Sequence, residues 1–400
     1  MYCVEPAPLI GEFRAPPSKP MAQRLVFAAA LAEGGTHISG VELSDDVVAA
    51  LRAAAPLASI SASGAELTIE PREPERSRAV NVQESGFTYR IAAAIYAGIP
   101  GRTVIYTSGT LRRRPMGDYI GVLSKVAAAV REWPGALYVE GRRLESLEVE
   151  VRADVSSQFV SGLMFLSTLA EGGGIVRPVG PRKSWQYVEA TAEVLRLFGA
   201  RVELGDEVVV AGPLKSPGSA SVPGDYSLSA FVLAAASITG GRARIGGLSG
   251  GPDKEIIDFV REMGVDVRVG EDYVEVEGVP ERPVELDMSS YPDLVMPVAL
   301  MAAFVDGESV LRGVEHLAYK ESDRTSTTMD VLRRIGASAA YDRGALKVRG
   351  PPTRRNATFS CHEDHRICLM AAAAARALGG CIDDVAPVAK SWPGALLIFS

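Results

Sequence analysis

Six times along the chain, an alanine-rich apolar run follows a short polar cluster and ends in glycine and a β-type run. These repeats are Ser18–Val41, Glu84–Tyr106, Ser156–Val176, Asp225–Ile245, Pro292–Leu311 and Asp364–Ile382. Each reads as a helix, a glycine stop and a short strand. A helix apolar on every side belongs inside a domain. Most repeats continue into a second, amphipathic helix, predicted over Asp45–Ala54, Gly117–Arg131, Trp185–Phe198, Lys254–Met263 and Thr325–Ile335. Each of these leads to a strand pair with a polar turn: Ala58–Ile69, Leu137–Val151, Arg201–Val210, Val265–Val276 and Ala337–Val348. The alternation in V-R-V-G-E-D-Y-V-E-V-E marks a hairpin turning at Gly270–Asp272.

The repeating unit is therefore β-α-β-α-β-β, and the expected fold class is α/β (α+β) with two similar domains of three units each, built around buried parallel helices. The Pro/Gly/Ser stretch Leu214–Val222 suits a junction. The sixth unit is cut short at Ser400, and Tyr2–Phe13 is expected to supply its missing strand. The domains are then 15–218, and 1–14 with 219–400. The chain would cross twice, near 14–16 and 215–222, and such a two-strand hinge suits closure around a ligand.

The composition allows large cores, since 400 residues are 47% hydrophobic. A net charge of −7 gives no global basic field for nucleic acid or a membrane surface. Apolar runs all stop short of the ~18 residues that span a bilayer, and Glu5, Pro6, Pro8 and Glu12 break any leader pattern. Cys3, Cys361, Cys368 and Cys381 have no C-x-x-C spacing, so no structural metal is expected and the cysteines read as reduced, in a cytoplasmic protein. The polar second helices offer no evident sticky face, which predicts a monomer. Arginine far outnumbers lysine, a bias shared by heat-adapted proteins and by GC-rich genomes.

The charge that matters is local. Polar residues crowd each buried helix start: Ser18/Lys19, Glu84/Ser85/Gly86, Ser156/Ser157/Gln158, Asp225/Ser227, Pro292/Asp293 and Asp364/His365/Arg366. Ser and Asp at such positions are ordinary caps. Caps do not need Lys19, Arg24, Arg90, Arg114, Arg324, Arg366 and Lys390 beside them. Convergent helix N-termini with arginines form a site for a small, multiply charged anion. The densest cluster is H-L-A-Y-K-E-S-D-R, His316–Arg324. Alone it reads as a solvated helix start with Ser322 or Asp323 as cap. Among the other helix starts, Lys320 and Arg324 read as anion contacts and Glu321 as a proton carrier, with Ser322 and Asp323 left to capping.

These motifs resemble the enolpyruvyl transferase family along nearly the whole chain. P-S-K-P-M-A-Q-R (17–24), E-S-G-F-T-Y-R (84–90), R-P-M-G-D (114–118), V-S-S-Q-F (155–159) and K-S-W-Q-Y (183–187) are similar to its ligand segments. Y-P-D-L-V-M (291–296), K-E-S-D-R (320–324), D-H-R (364–366) and A-K-S-W-P (389–393) complete a set of nine in order. The resemblance implies an inside-out α/β barrel in each domain and transfer of the enolpyruvyl group of phosphoenolpyruvate, without a cofactor. The closer likeness, to members that use the 5-hydroxyl of shikimate 3-phosphate, implies a role in aromatic amino-acid (chorismate) biosynthesis.

By that resemblance, Lys19, Gly86, Arg114, Gln158, Arg324, Arg366 and Lys390 bind phosphoenolpyruvate. Lys19, Pro20, Arg24, Ser156, Ser157, Gln158, Ser184, Asp293 and Lys320 hold shikimate 3-phosphate. Asp293 acts as base on the hydroxyl, Glu321 as acid/base at C3, and Lys19 stabilises developing charge. The chain departs from the family at Pro20, Glu84, Phe87, His316, Leu317 and Ala318. Gly86 is retained, which in this family leaves room for glyphosate and predicts inhibition competitive with phosphoenolpyruvate. Relatives that act on UDP-N-acetylglucosamine carry a loop cysteine where this chain reads S-G-T-L-R-R-R (108–114). An RNA-end cyclase, built on the same unit, would need a nucleotide site and a catalytic histidine.

Overall fold

The computed structural model describes residues 1–400, the side chain of Tyr319 excepted. The chain divides into two compact units. One, Lys19–Val222, is continuous and is called here the insert unit. The other joins Met1–Ser18 to Pro223–Ser400 and is the split unit.

In the insert unit, three buried helices alternate with three amphipathic ones. The buried helices are α1 (Lys19–Leu31), α3 (Gly86–Gly98) and α5 (Ser157–Ser167). The amphipathic ones are α2 (Asp45–Ala54), α4 (Gly117–Val126) and α6 (Gln186–Leu197). Every residue of α3 is buried, so its stability comes from packing rather than from an exposed polar face. Helices α3 and α5 pack closely at Gly162. A Cβ there would lie 2.1 Å from the Tyr119 hydroxyl and 3.1 Å from the Arg90 carbonyl, so only glycine fits.

The split unit repeats the scheme with buried helices α7 (Tyr226–Ile238), α9 (Val295–Ala302) and α11 (His365–Leu378). Its amphipathic helices are α8 (Ile256–Glu262) and α10 (Arg324–Arg334). Each unit encloses its own continuous apolar core. Burial of each large aliphatic or aromatic side chain contributes roughly 1.5–3 kcal/mol. Among the described residues, no helix is long and apolar enough to cross a membrane.

In the second, third and fifth repeats the strand entering a buried helix pairs in parallel with the strand leaving it, and an antiparallel hairpin extends the sheet. In the second repeat Ser77–Asn81 runs parallel to Gly101–Tyr106, which pairs antiparallel with Ala136–Gly141. The hairpin is closed by Ala129–Trp133. Here the structure departs from the sequence reading. The helix expected over Gly117–Arg131 ends at Val126, and the hairpin expected over Leu137–Val151 lies at 129–141, turning at Gly135 with φ 78°. The alanines at 127–129 prolong the apparent helix, while Pro134 and Gly135 are the turn pair. Leu147–Arg152 instead opens the third sheet, parallel to Gly174–Val179.

The N-terminal segment divides between two sheets. Tyr2–Val4 pairs antiparallel with Gly380–Ile382 and fills the edge of the sixth repeat. Ile10–Arg14 pairs in parallel with Arg242–Gly246 of the fourth. The first pairing brings Cys3 opposite Cys381, and the two form a disulfide across 378 residues. Cys361 and Cys368 form a second. The expectation of reduced cysteines is therefore corrected: spacing rules miss Cys3 and Cys381, which only strand pairing brings together, and Cys361 and Cys368, which a tight turn into α11 brings together.

Candidate active site

In the insert unit the first turns of α1, α3 and α5 meet. Gln23 of α1 donates through Nε2 to Ser85 Oγ (3.0 Å) and Thr88 Oγ1 (3.0 Å) at the start of α3. Arg90 of α3 donates to Gln158 Oε1 of α5 at 2.5 Å. Ser156 caps α5, accepting from the Gln158 amide at 3.3 Å. Gly86 lies against two guanidiniums: a Cβ would sit 3.0 Å from both Arg90 Nη1 and Arg114 Nη1. The absence of a side chain is what lets both guanidiniums come this near.

Arg24 is 1% exposed. Its Nε donates to Thr191 Oγ1 (2.9 Å), Nη1 to the Pro20 carbonyl (2.8 Å) and Nη2 to the Tyr187 carbonyl (2.8 Å). The Phe87 ring faces it at 4.4 Å. Every one of these partners is neutral. Burial pulls the guanidinium pKa down to about 9, which leaves it charged at neutral pH. A buried charge held only by dipoles is costly until an anion reaches it. Pro20 thus contributes a carbonyl that orients Arg24. Lys19 opens α1 and pairs with Asp46 at 2.8 Å. Ser157 is buried at the start of α5, and Ser184, two residues before α6, is buried with φ 54°.

In the split unit the helix starts hold an ionic network. Arg324, 2% exposed, spreads its guanidinium over three carboxylates. Its Nη1 donates to Asp293 (2.7 Å), Nη2 to Glu321 (2.7 Å) and Nε to Asp364 (2.8 Å). Arg366 Nη2 donates to the other oxygen of Asp293 (3.0 Å) and to Ser227 (3.0 Å). Burial alone would raise the Asp293 pKa, but Arg366, Arg324 and Lys320 together hold it far below the ordinary carboxylate range. Asp364 is likewise held low against burial, chiefly by Arg324. The three carboxylates in turn push the Arg324 pKa up against its own burial.

The His316–Arg324 stretch resolves into a 3₁₀ turn at Glu315–Tyr319 and the start of α10. Asp323 is the cap, accepting from the amides of Thr325 (3.2 Å) and Ser326 (3.3 Å). Ser322 does not share in the capping; its hydroxyl donates to Asp364 at 3.1 Å. Lys390 ends a 3₁₀ turn and donates to the Glu363 carbonyl at 3.4 Å. Two further residues belong to these clusters although the motifs assign them no role. Asp364 anchors Arg324 and caps α11 through the Arg366 amide (2.9 Å). Arg90 bonds the substrate candidate Gln158. Both stand in polar helix starts, and that is the only signal the sequence carries for them.

Residues 4–396 match the family model described as EPSP synthase (3-phosphoshikimate 1-carboxyvinyltransferase). A 3-phosphoshikimate 1-carboxyvinyltransferase of Korarchaeum cryptofilum is 35% identical, over 99% of this chain and 97% of that protein. One of Thermococcus kodakarensis is 36% identical, over 96% and 95%. An EPSP synthase structure from Acinetobacter baumannii shares the fold with TM-score 0.83 at 22% identity, covering 99% of this chain and 97% of that one. The enolpyruvyl transferase NikO from Streptomyces tendae does so with TM-score 0.78 at 18% identity, covering 99% and 95%. On the nine ordered motifs and on these matches, the chain belongs to the EPSP synthase family of transferases.

Proposed function

We propose that this protein transfers the enolpyruvyl group of phosphoenolpyruvate to the 5-hydroxyl of shikimate 3-phosphate, releasing phosphate, as a step of chorismate and aromatic amino-acid biosynthesis. The observation that supports it most is the span of Arg324. One guanidinium holds both carboxylates needed for proton transfer, Asp293 and Glu321, with Arg366 also on Asp293.

In this reading the substrate 5-oxygen bonds to C2 of phosphoenolpyruvate while Asp293 takes the hydroxyl proton and Glu321 gives a proton to C3. The resulting tetrahedral adduct then loses a proton from C3 back to Glu321. Its C2–O bond to phosphate breaks, giving the enol ether, and the departing phosphate takes up the proton held by Asp293. Asp293 in its arginine clamp is a weak base. The charges of phosphoenolpyruvate compete for Arg366 and Arg324, and losing that hold raises the proton affinity of Asp293. Ligand arrival thus switches the base on.

In the insert unit, Arg24 with Ser156, Ser157 and Ser184 supplies the cation and hydroxyls for shikimate 3-phosphate. Lys19, Gly86, Arg114 and Gln158 do the same for phosphoenolpyruvate, with Arg324, Arg366 and Lys390. Lys320 and Asp293 bind the shikimate ring hydroxyls. The working form is a monomer in the cytoplasm. Disulfides persist in cytoplasmic proteins chiefly in hyperthermophiles, so that location goes with heat adaptation.

A phosphate-release assay with phosphoenolpyruvate and shikimate 3-phosphate tests the reading, with UDP-N-acetylglucosamine as the second acceptor. Release with the UDP-sugar alone, or with neither acceptor, overturns it.

A further inference from the structure

The Cys361–Cys368 disulfide encloses the residues that open α11. Between the two sulfurs lie Asp364, His365 and Arg366. The chain enters this turn from the strand Ala357–Phe359 and must reverse before the helix starts. It does so through two consecutive non-glycine residues in the left-handed region, His362 (φ 50°) and Glu363 (φ 60°). Side chains disfavour that conformation, and it persists only where the surroundings impose it.

Four fastenings impose it. The disulfide ties the turn to the first turn of α11, with Cys361 2% and Cys368 0% exposed. The Asp364 amide donates to the Cys361 carbonyl at 2.9 Å. His362 Nε2 lies 3.1 Å from Asp330 Oδ2, and Lys390 donates to the Glu363 carbonyl. What the turn then presents is Asp364 to Arg324 at 2.8 Å and Arg366 to Asp293 at 3.0 Å. The disulfide is the only covalent member of the set, and it closes over these residues alone. Cys3–Cys381, by contrast, joins two paired strands of the sixth repeat's sheet and takes in no residue between Cys361 and Cys368 as a local loop.

We propose that Cys361–Cys368 is a positioning pair for anion binding: it fixes the start of α11 so that Arg366 meets phosphoenolpyruvate without first being ordered. The proposal rests on the reading that Arg366 binds that ligand. Pre-ordering of a loop lowers the entropic cost of binding what it holds, so its loss falls on one substrate.

The test compares steady-state constants of Cys361→Ala/Cys368→Ala with those of the parent and of Cys3→Ala/Cys381→Ala. The expected result is a KM for phosphoenolpyruvate raised about tenfold. The KM for shikimate 3-phosphate stays within about twofold, and both constants hold in the Cys3/Cys381 variant. Unchanged values for phosphoenolpyruvate, or equal rises for both substrates, overturn the proposal. Arg366→Ala separates the two possible failures. A raised KM there with none in the Cys361/Cys368 variant removes the disulfide's role alone, whereas no change in either removes the ligand assignment too. Should the double variant not fold, the parent is reduced with excess dithiothreitol, which gives two electrons and two protons to each disulfide and closes to its own cyclic disulfide. With four thiols confirmed by titration, the same selective rise, reversed on reoxidation, is expected, and its absence overturns the proposal.

Discussion

The insert and split units repeat the same strand–helix scheme, yet their helix starts carry opposite electrostatics. In the insert unit Arg24 is buried among hydroxyls, carbonyls and an aromatic face, with only neutral partners. In the split unit Arg324 is buried to a similar degree but touches three carboxylates. On the proposed reading, the first arrangement receives an anion. The second is a self-satisfied ion network whose acids can be released by a competing anion. Fold repetition therefore supplies the positions, helix N-termini within each unit, while the choice of residue at each gives one unit a buried cation among neutral partners and the other an ion network, which the proposed function assigns to holding substrate and to moving protons.

Breaking the split-unit chemistry should have the largest effect. Glu321→Gln should lower kcat by about 10³-fold while ligand affinity, measured by calorimetry, stays close to the parent. Weak binding with normal turnover would mean that another carboxylate carries the proton. Next comes the receptor: Arg24→Met should raise the KM for shikimate 3-phosphate about hundredfold, with a much smaller change in kcat. A drop in kcat alone would place Arg24 in the chemistry and erase the contrast between the units.

A smaller effect is expected at Gly86. Its replacement by alanine puts a methyl 3.0 Å from Arg90 and Arg114, which should raise the KM for phosphoenolpyruvate about tenfold. Glyphosate should compete with phosphoenolpyruvate in the parent, and a titration without competition would remove Gly86 from that site. The smallest signal is in acid. Asp293 and Asp364 have folded pKa values below the ordinary 3.8. Their contribution to stability is thus complete above that value and is lost as pH falls through the depressed ones. Melting scans from neutral pH down to about 2 should show the split unit giving way first, and Asp364→Asn should flatten that loss. Parallel acid loss in both units would deny the network its role.

Much of this is legible in sequence because the repeats are strongly periodic. Five of the six buried helices follow from alanine-rich runs with glycine stops, α5 follows from an apolar run without alanine, and α2 keeps the bounds its pattern predicts. The displaced hairpin at 129–141 shows the limit: three alanines favour helix locally, and only pairing within the sheet of Gly101–Tyr106 makes Ala129–Trp133 a strand. The charged site residues are visible as types at helix starts. Their partners are not, since Asp364 lies 40 residues from Arg324 and Thr191 lies 167 from Arg24. The Cys3–Cys381 disulfide, across 378 residues, escapes notice for the same reason.

The pairing of the first strands with late ones also fixes an order of birth. Tyr2–Val4 leaves the ribosome well ahead of its partner Gly380–Ile382, with Cys3 and Cys381 separated by 378 residues. At about 5–20 residues per second, the leading strand waits roughly 20–75 seconds for it. Ile10–Arg14 waits for Arg242–Gly246. All strands of the insert unit are available in that interval, so it can fold as a complete body while the leading segment stays open. This early segment is thus enclosed late, once Gly380–Ile382 is free to pair with it.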